Sequence, residues 1–208
     1  MYTPRAFRED DPAELRAIMR EARLATLVTA TAEGLVATPL PLFLDAGEGA
    51  FGTLYGHMAR ANPQWRLEPA GEALAIFAGP DAYVTPTFYP SKREHGKVVP
   101  TWNYAAVHAY GPVEFFEDEA RLRDAVTRLT DLYERPRAEP WAMTDAPERF
   151  IEAQLRGIVG VRLPIARIEG KRKMSQNRPQ ADRDGVASGL GASDSEADRR
   201  VAALVARG

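Results

Sequence analysis

The chain has 208 residues, 45% of them apolar, which suits one domain with its own core and a short appendage. A formal charge of −2 leaves no global basic field of the kind that holds DNA regardless of sequence. The lack of cysteine excludes disulfides, thiolate nucleophiles and cysteine-ligated metals. The start, Met1-Tyr2-Thr3-Pro4-Arg5, has no apolar signal-peptide core and no segment reaches membrane-span length, so a cytoplasmic protein is expected.

Asp11-Pro12-Ala13-Glu14 reads as a capping box with proline at the first helical position, and Leu15, Ile18, Met19 and Ala22 follow at helical spacing. A helix over 12–22 is expected. Strands follow at 24–29, 35–44 and 51–55, with 31–34 as a turn. Pro39 and Pro41 each remove a ladder donor, so the second strand is irregular or lies at an edge. The regular spacing suggests an antiparallel meander. Asn62-Pro63 opens a short helix, with Asn62 as its cap and Trp65 packed beneath.

Further strands are expected over 73–78 and 83–89, then a polar loop over 90–97, then a long strand over 105–116 broken at Gly111-Pro112. Asp118 caps a helix over 119–134 with Leu122, Val126 and Leu129 in its apolar stripe. Asp145-Ala146-Pro147-Glu148 reads as a second capping box, with Phe150, Ile151 and Leu155 lining the helix that Gly157 ends. A last long strand runs over 158–168. Beyond Pro179 the chain turns polar and glycine-rich, until Ser193-Asp194-Ser195-Glu196 caps a terminal helix over 197–206.

Metal and triad chemistry find no support. His57, His95 and His108 are widely spaced, and there is no Gly-x-Ser-x-Gly elbow, P-loop or GxGxxG motif after a strand. No catalytic side chain and no metal ligand is assigned. The window Gly170-Lys171-Arg172-Lys173-Met174-Ser175-Gln176-Asn177-Arg178-Pro179 is the most informative. It gathers four cations, a hydroxyl and two side-chain amides after a strand, able to serve an anion and the edge of a polar ring. Taken alone, its composition favours a solvated strand end with surface cations.

Two other windows, His57-Met58-Ala59-Arg60-Ala61-Asn62-Pro63-Gln64-Trp65 and Val99-Pro100-Thr101-Trp102-Asn103-Tyr104, join it in a fixed order. Together the three resemble the PaiB-type family of flavin-binding negative regulators, over nearly the whole chain. The resemblance implies an α+β, β-dominated split β-barrel with peripheral helices, as in pyridoxamine-phosphate oxidase and flavin reductases. It implies a domain over 1–190, a C-terminal helical extension over 191–208, a homodimer, and FMN as cofactor. It sets Arg60 and Asn62 near the flavin phosphate with His57 close by, and Thr101, Trp102 and Asn103 beside the pocket. Lys173, Ser175 and Gln176 fall in the late segment that contacts the cofactor. The early strand Leu35–Pro41 lacks the basic residues that contact phosphate in the oxidases.

Three functions follow from that resemblance. The first is an FMN-binding negative transcriptional regulator, with DNA as partner by resemblance only, since no helix-turn-helix is recognisable. The second is a flavin-dependent oxidoreductase, in which the ring does the redox chemistry and no catalytic side chain is needed. The third is haem binding, with His57, His95 or His108 as axial ligand.

Overall fold

Three breaks in the strands send the chain from one β-sheet to the other in the computed structural model, which describes residues 1–207. The chain divides into two compact units. One comprises Met1–Ala22, Phe77–Val107 and the chain from Glu169 onward; the other comprises Arg23–Ile76 and His108–Ile168. The strands are β1 (Arg8–Glu9), β2 (Ala25–Thr31), β3 (Gly34–Leu40), β4 (Leu42–Asp45), β5 (Thr53–Ala59), β6 (Ala73–Val84), β7 (Thr101–Gly111), β8 (Glu114–Phe116), β9 (Ile158–Pro164) and β10 (Arg167–Lys173). They form a six-stranded sheet in the order β1-β10-β7-β6-β2-β3 and a four-stranded sheet in the order β4-β5-β9-β8. With helices α1 (Pro12–Glu21), α2 (Ser91–Glu94), α3 (Glu119–Glu134), α4 (Glu148–Leu155), α5 (Gln180–Gly191) and α6 (Glu196–Arg207), this is a mixed α+β fold with two antiparallel sheets and flanking helices. No helix among the described residues is long and apolar enough to cross a membrane.

In the second unit, prolines mark the changes of sheet. The expected strand over 35–44 is two strands, β3 and β4, separated at Pro41. Gly56 of β5 lies against that corner, where a Cβ would come within 2.4 Å of the Pro41 carbonyl oxygen. The break expected at Gly111-Pro112 separates β7 from β8. The strand expected over 158–168 is also two strands. Pro164 has no N–H to donate, and the next two amides leave the ladder: Ile165 donates to Gly52 O at 3.0 Å and Ala166 to Tyr110 O at 2.8 Å. A Cβ on Gly111 would sit 2.0 Å from Pro164 O, so these two corners touch backbone to backbone.

Helices α3 and α4 pack Leu122, Ala125, Ile151 and Leu155 around Phe116 of β8. Asp118 caps α3 as expected, accepting from Arg121 N at 2.9 Å. Asp145 does not cap α4. Its carboxylate accepts from Ala142 N at 2.8 Å and closes the 3-10 turn Met143–Asp145 instead. Phe150, expected in the apolar stripe, is 55% exposed, while Ile151 and Leu155 are buried.

In the first unit, Asp11 caps α1 by accepting from Ala13 N at 2.7 Å. The reciprocal arm expected from Glu14 comes from Glu9, which accepts from Asp11 N at 3.0 Å. The two strands expected over 73–78 and 83–89 are one strand, β6, which carries Gly79-Pro80 without ending and gives way to a 3-10 turn at Pro86–Phe88. Proline removes a donor but keeps an extended φ, so it need not stop a strand. The loop expected over 90–97 contains the one-turn α2.

Helix α5 falls in the stretch beyond Pro179 that reads as polar and glycine-rich. Gly185 and Gly189 made its segment look loop-like, yet both are there for close packing. A Cβ on Gly185 would meet Phe88 O at 2.0 Å, and one on Gly189 would meet the Phe88 ring at 2.3 Å. Asp182 of α5, 2% exposed, accepts from Ser91 N at 3.1 Å and from Ser91 Oγ at 2.7 Å. The helix thus grips the segment that leads from β6 towards β7. The terminal helix α6 buries Val201, Ala202 and Val205.

Candidate functional site

Thr101, Trp102, Asn103, Lys173, Ser175 and Gln176 come together in the first unit. Along β7 the odd positions Asn103, Ala105 and Val107 are buried, and the even positions Trp102 and Tyr104 project from the other face, as a strand's two-residue period requires. Trp102 is 53% exposed and meets Tyr83 of β6, itself 48% exposed, edge to face with centroids 5.8 Å apart. Lys173 at the end of β10 donates to Thr101 Oγ1 at 2.5 Å and to Trp102 O at 2.8 Å. Burial holds its ammonium below the usual lysine range, and Lys171 and Arg178 push the same way. Lys171 is only 7% exposed; its Nζ donates to Tyr2 O at 3.0 Å and lies 5.0 Å from the centre of the Tyr104 ring.

The turn after β10 is held from three sides. Ser175 adopts a left-handed φ of 64°, which costs a non-glycine residue about 1–3 kcal/mol unless its surroundings impose it. Asn103 Nδ2 donates to Ser175 Oγ at 3.0 Å. Gln176 folds back on its own backbone, accepting from Met174 N at 2.6 Å and donating to Arg172 O at 2.5 Å. Arg178 N donates to Ser175 O at 2.9 Å and closes the turn. The Arg178 guanidinium lies 4.9 Å from the centre of the Tyr89 ring. Tyr89 is 2% exposed, with its hydroxyl enclosed near Arg178 and Asp182. Burial raises the pKa of that hydroxyl, and the nearby Arg178 partly offsets the rise.

His57, Arg60 and Asn62 belong to the second unit. Arg60 donates to Arg156 O at 2.7 Å and to Ile158 O at 3.3 Å, and it pairs with Glu117. Asn62 caps the 3-10 turn Pro63–Arg66 by accepting from Gln64 N at 2.9 Å, and its amide donates to Thr38 Oγ1 at 2.8 Å. Gln64, fully buried, donates to Thr29 Oγ1 at 3.0 Å and ties that turn down. His57 faces Gly160 across the β5–β9 pair, where the Phe116 ring occupies the space a Cβ on Gly160 would need. Its Nδ1 is buried without a partner, and desolvation lowers its pKa, so the ring is neutral near pH 7.

The first-unit cluster offers an exposed aromatic face beside an ammonium, hydroxyls and a fixed turn. That set suits a planar, polar-edged, anionic ligand, for which a ring wall and a few placed donors suffice. Tyr89, Arg178 and Asp182 were not among the expected site residues. Arg178 lies in the basic window already singled out. Tyr89 and Asp182 carry no local signal, because only the packing of α5 brings them to it.

Residues 1–167 match the family described as "Putative FMN-binding domain". The chain is 34% identical over 183 residues to the protease synthase and sporulation protein PAI 2 of Bacillus subtilis, covering 88% of this chain and 85% of that one. In fold it is similar to the flavocytochrome Anf3 of Azotobacter vinelandii, with a TM-score of 0.57 and 16% identity over 82% of this chain and 72% of the other. The FAD and heme binding protein of Mycobacterium smegmatis is similar to the same degree, with a TM-score of 0.57 and 17% identity over 80% and 73%.

Proposed function

The chain belongs to the PaiB-like family of FMN-binding split-barrel proteins, and on that premise we propose that it is a flavin-dependent oxidoreductase of the split-barrel class. The observation that carries this reading is the solvent-facing Trp102–Tyr83 pair with the Lys173 ammonium bonded at the start of the same strand. An isoalloxazine needs a ring wall and a few donors at its edge, and these residues fit it. In this reading Trp102 is the wall, and Lys173 with Thr101 supplies charge and donors at the ring edge. Asn103, Ser175 and Gln176 fix the turn that carries Lys173. Arg60, Asn62 and His57 shape the β5 end of the second unit.

The flavin, when bound, supplies hydride or electron transfer; the chain supplies orientation and electrostatics. We further propose that the corners at Pro41, Pro112 and Ile165-Ala166 bend the two sheets into a split barrel and that the protein acts as a homodimer. The test is anaerobic addition of NADH or NADPH to the FMN-loaded protein. Bleaching of the flavin band is expected, and a flavin that stays oxidised over hours would sink the reductase reading.

A negative transcriptional regulator is the second reading. It is supported by the name of the Bacillus subtilis relative, a sporulation protein. A gel-shift against the protein's own upstream DNA, at stated salt, tests it; binding without sequence preference counts against direct repression.

A further inference from the structure

Lys171 carries a charge that no carboxylate meets. It is 7% exposed, and among the described residues its ammonium forms no ion pair. Carboxylates on the adjacent backbone are engaged elsewhere: Glu169 with the Met1 amine, Asp10 with Arg8, and Glu9 with Arg172 at 3.6 Å. What Lys171 has instead comes from two tyrosines. Tyr2 O accepts from its Nζ at 3.0 Å, the centre of the Tyr2 ring lies 5.7 Å from Nζ, and the centre of the Tyr104 ring lies 5.0 Å from it. Buried charges are normally paired, and two rings with one neutral carbonyl are a weak substitute for a counter-ion.

These groups share one face of the first unit. Trp102 and Tyr104 are both even positions of β7, and Lys173, two residues beyond Lys171 on β10, bonds at Thr101 and Trp102 O. Gly170, between Glu169 and Lys171, turns to the other face, where a Cβ would come within 2.2 Å of Leu15 of α1. The Tyr104–Lys171 contact therefore adjoins the Trp102 face. Tyr2 is 83% exposed, so little of the protein holds its ring in place.

We propose that Lys171 and Tyr104 form a subsite for an aromatic carboxylate of the 3-arylpropanoate type, which Tyr2 fills as an internal stand-in. The argument is the chemistry of Tyr2 itself. A tyrosine residue presents a carbonyl, then two carbons, then a ring. A 3-arylpropanoate has the same skeleton, with a carboxylate where Tyr2 has a neutral carbonyl. It places ring and oxygen as Tyr2 does and adds the negative charge that Lys171 lacks. A hydrogen bond to an ionised acceptor is about twice as strong as a neutral one. The subsite does not require that flavin bind; only its placement beside a flavin rests on the oxidoreductase reading.

The test uses the flavin-free full chain and 3-(4-hydroxyphenyl)propanoate, followed by line broadening of the ligand protons. Tyr2→Gly should bind it saturably and about fivefold or more tightly than wild type, because the competing ring is gone. Lys171→Met in the Tyr2→Gly background should bind about tenfold or more weakly, through loss of a charge-assisted contact. The neutral alcohol of the same skeleton should bind about tenfold or more weakly than the acid. That comparison needs no lysine variant, so it decides the role of charge even if Lys171→Met fails to fold. Trp141→Ala removes an exposed aromatic ring of the second unit and should leave binding unchanged. Absence of saturation in Tyr2→Gly, or equal binding of acid and alcohol, would overturn the subsite. Tighter binding to wild type than to Tyr2→Gly would also overturn it, since Tyr2 would then be part of a site and not a stand-in for its ligand. If FMN fails to bind, the oxidoreductase reading fails while this titration still decides the subsite. If FMN binds and the acid does not, the subsite fails and that reading stands.

Discussion

Asn103 Nδ2 donates to Ser175 Oγ over 3.0 Å, between two residues 72 positions apart that are 0% and 4% exposed. The pair locks the start of β7 to the turn after β10. It holds Ser175 in a backbone conformation that serine rarely adopts, and thereby fixes Lys173 and Arg178 on either side.

Replacing Asn103 with Ala strands the Ser175 hydroxyl in the interior. The expected loss is about 1–3 kcal/mol, the cost of an unsatisfied buried group. Denaturant unfolding measures it. A loss near zero would mean that the turn holds without Asn103.

Gly189→Ala pushes a methyl into the Phe88 ring and should destabilise by about 1–3 kcal/mol through overpacking. Gly71→Ala is the control, since nothing lies within 4 Å of its added Cβ. If both variants melted like wild type, α5 would not be clamped on the 86–94 segment.

Arg60 spends its guanidinium on Glu117 and two backbone carbonyls. Arg60→Met is therefore expected to cost about 1–2 kcal/mol of stability, since the exposed ion pair counts for little and the carbonyl bonds for more. FMN affinity of the folded variant should stay within about twofold of wild type, a small change in free energy. A large loss of FMN affinity with unchanged Tm would assign Arg60 to the flavin phosphate instead.

Glu48 gives a pH dependence of known sign. Hydrogen bonds from Tyr55 and then Arg162 hold its carboxyl below the ordinary 4.5. A depressed carboxyl stabilises the fold above the unfolded pKa, and that contribution is lost as pH falls through the folded value. Glu48→Gln should thus melt below wild type at pH 7, with the gap closing as pH drops below 4.5. A gap that stayed constant into acid would mean the Glu48 charge does not matter.

Much of this was legible from local patterns. Asp118, Asn62 and the Gly111-Pro112 break each signalled their role through residue type and spacing, and three short windows identified the family. What was not legible depended on distant packing. The glycines of α5 read as loop until Phe88 explains them. Pro164 and Pro41 removed donors, but only the pairing partners reveal that the chain changes sheet there. Asp145 has the spacing of a helix cap, yet the preceding turn captures its carboxylate first. In the candidate site the sequence signalled the cations, but not that Tyr89 is enclosed beneath one of them.

The most direct measurement is an FMN titration of flavin-free wild type and Trp102→Ala, followed by flavin fluorescence. Wild type should quench the flavin with a saturable, stoichiometric endpoint. Trp102→Ala should bind about tenfold or more weakly, as loss of one aromatic stacking partner predicts. Failure of wild type to bind FMN, or equal affinity in the two proteins, would contradict a flavin site on the Trp102 face.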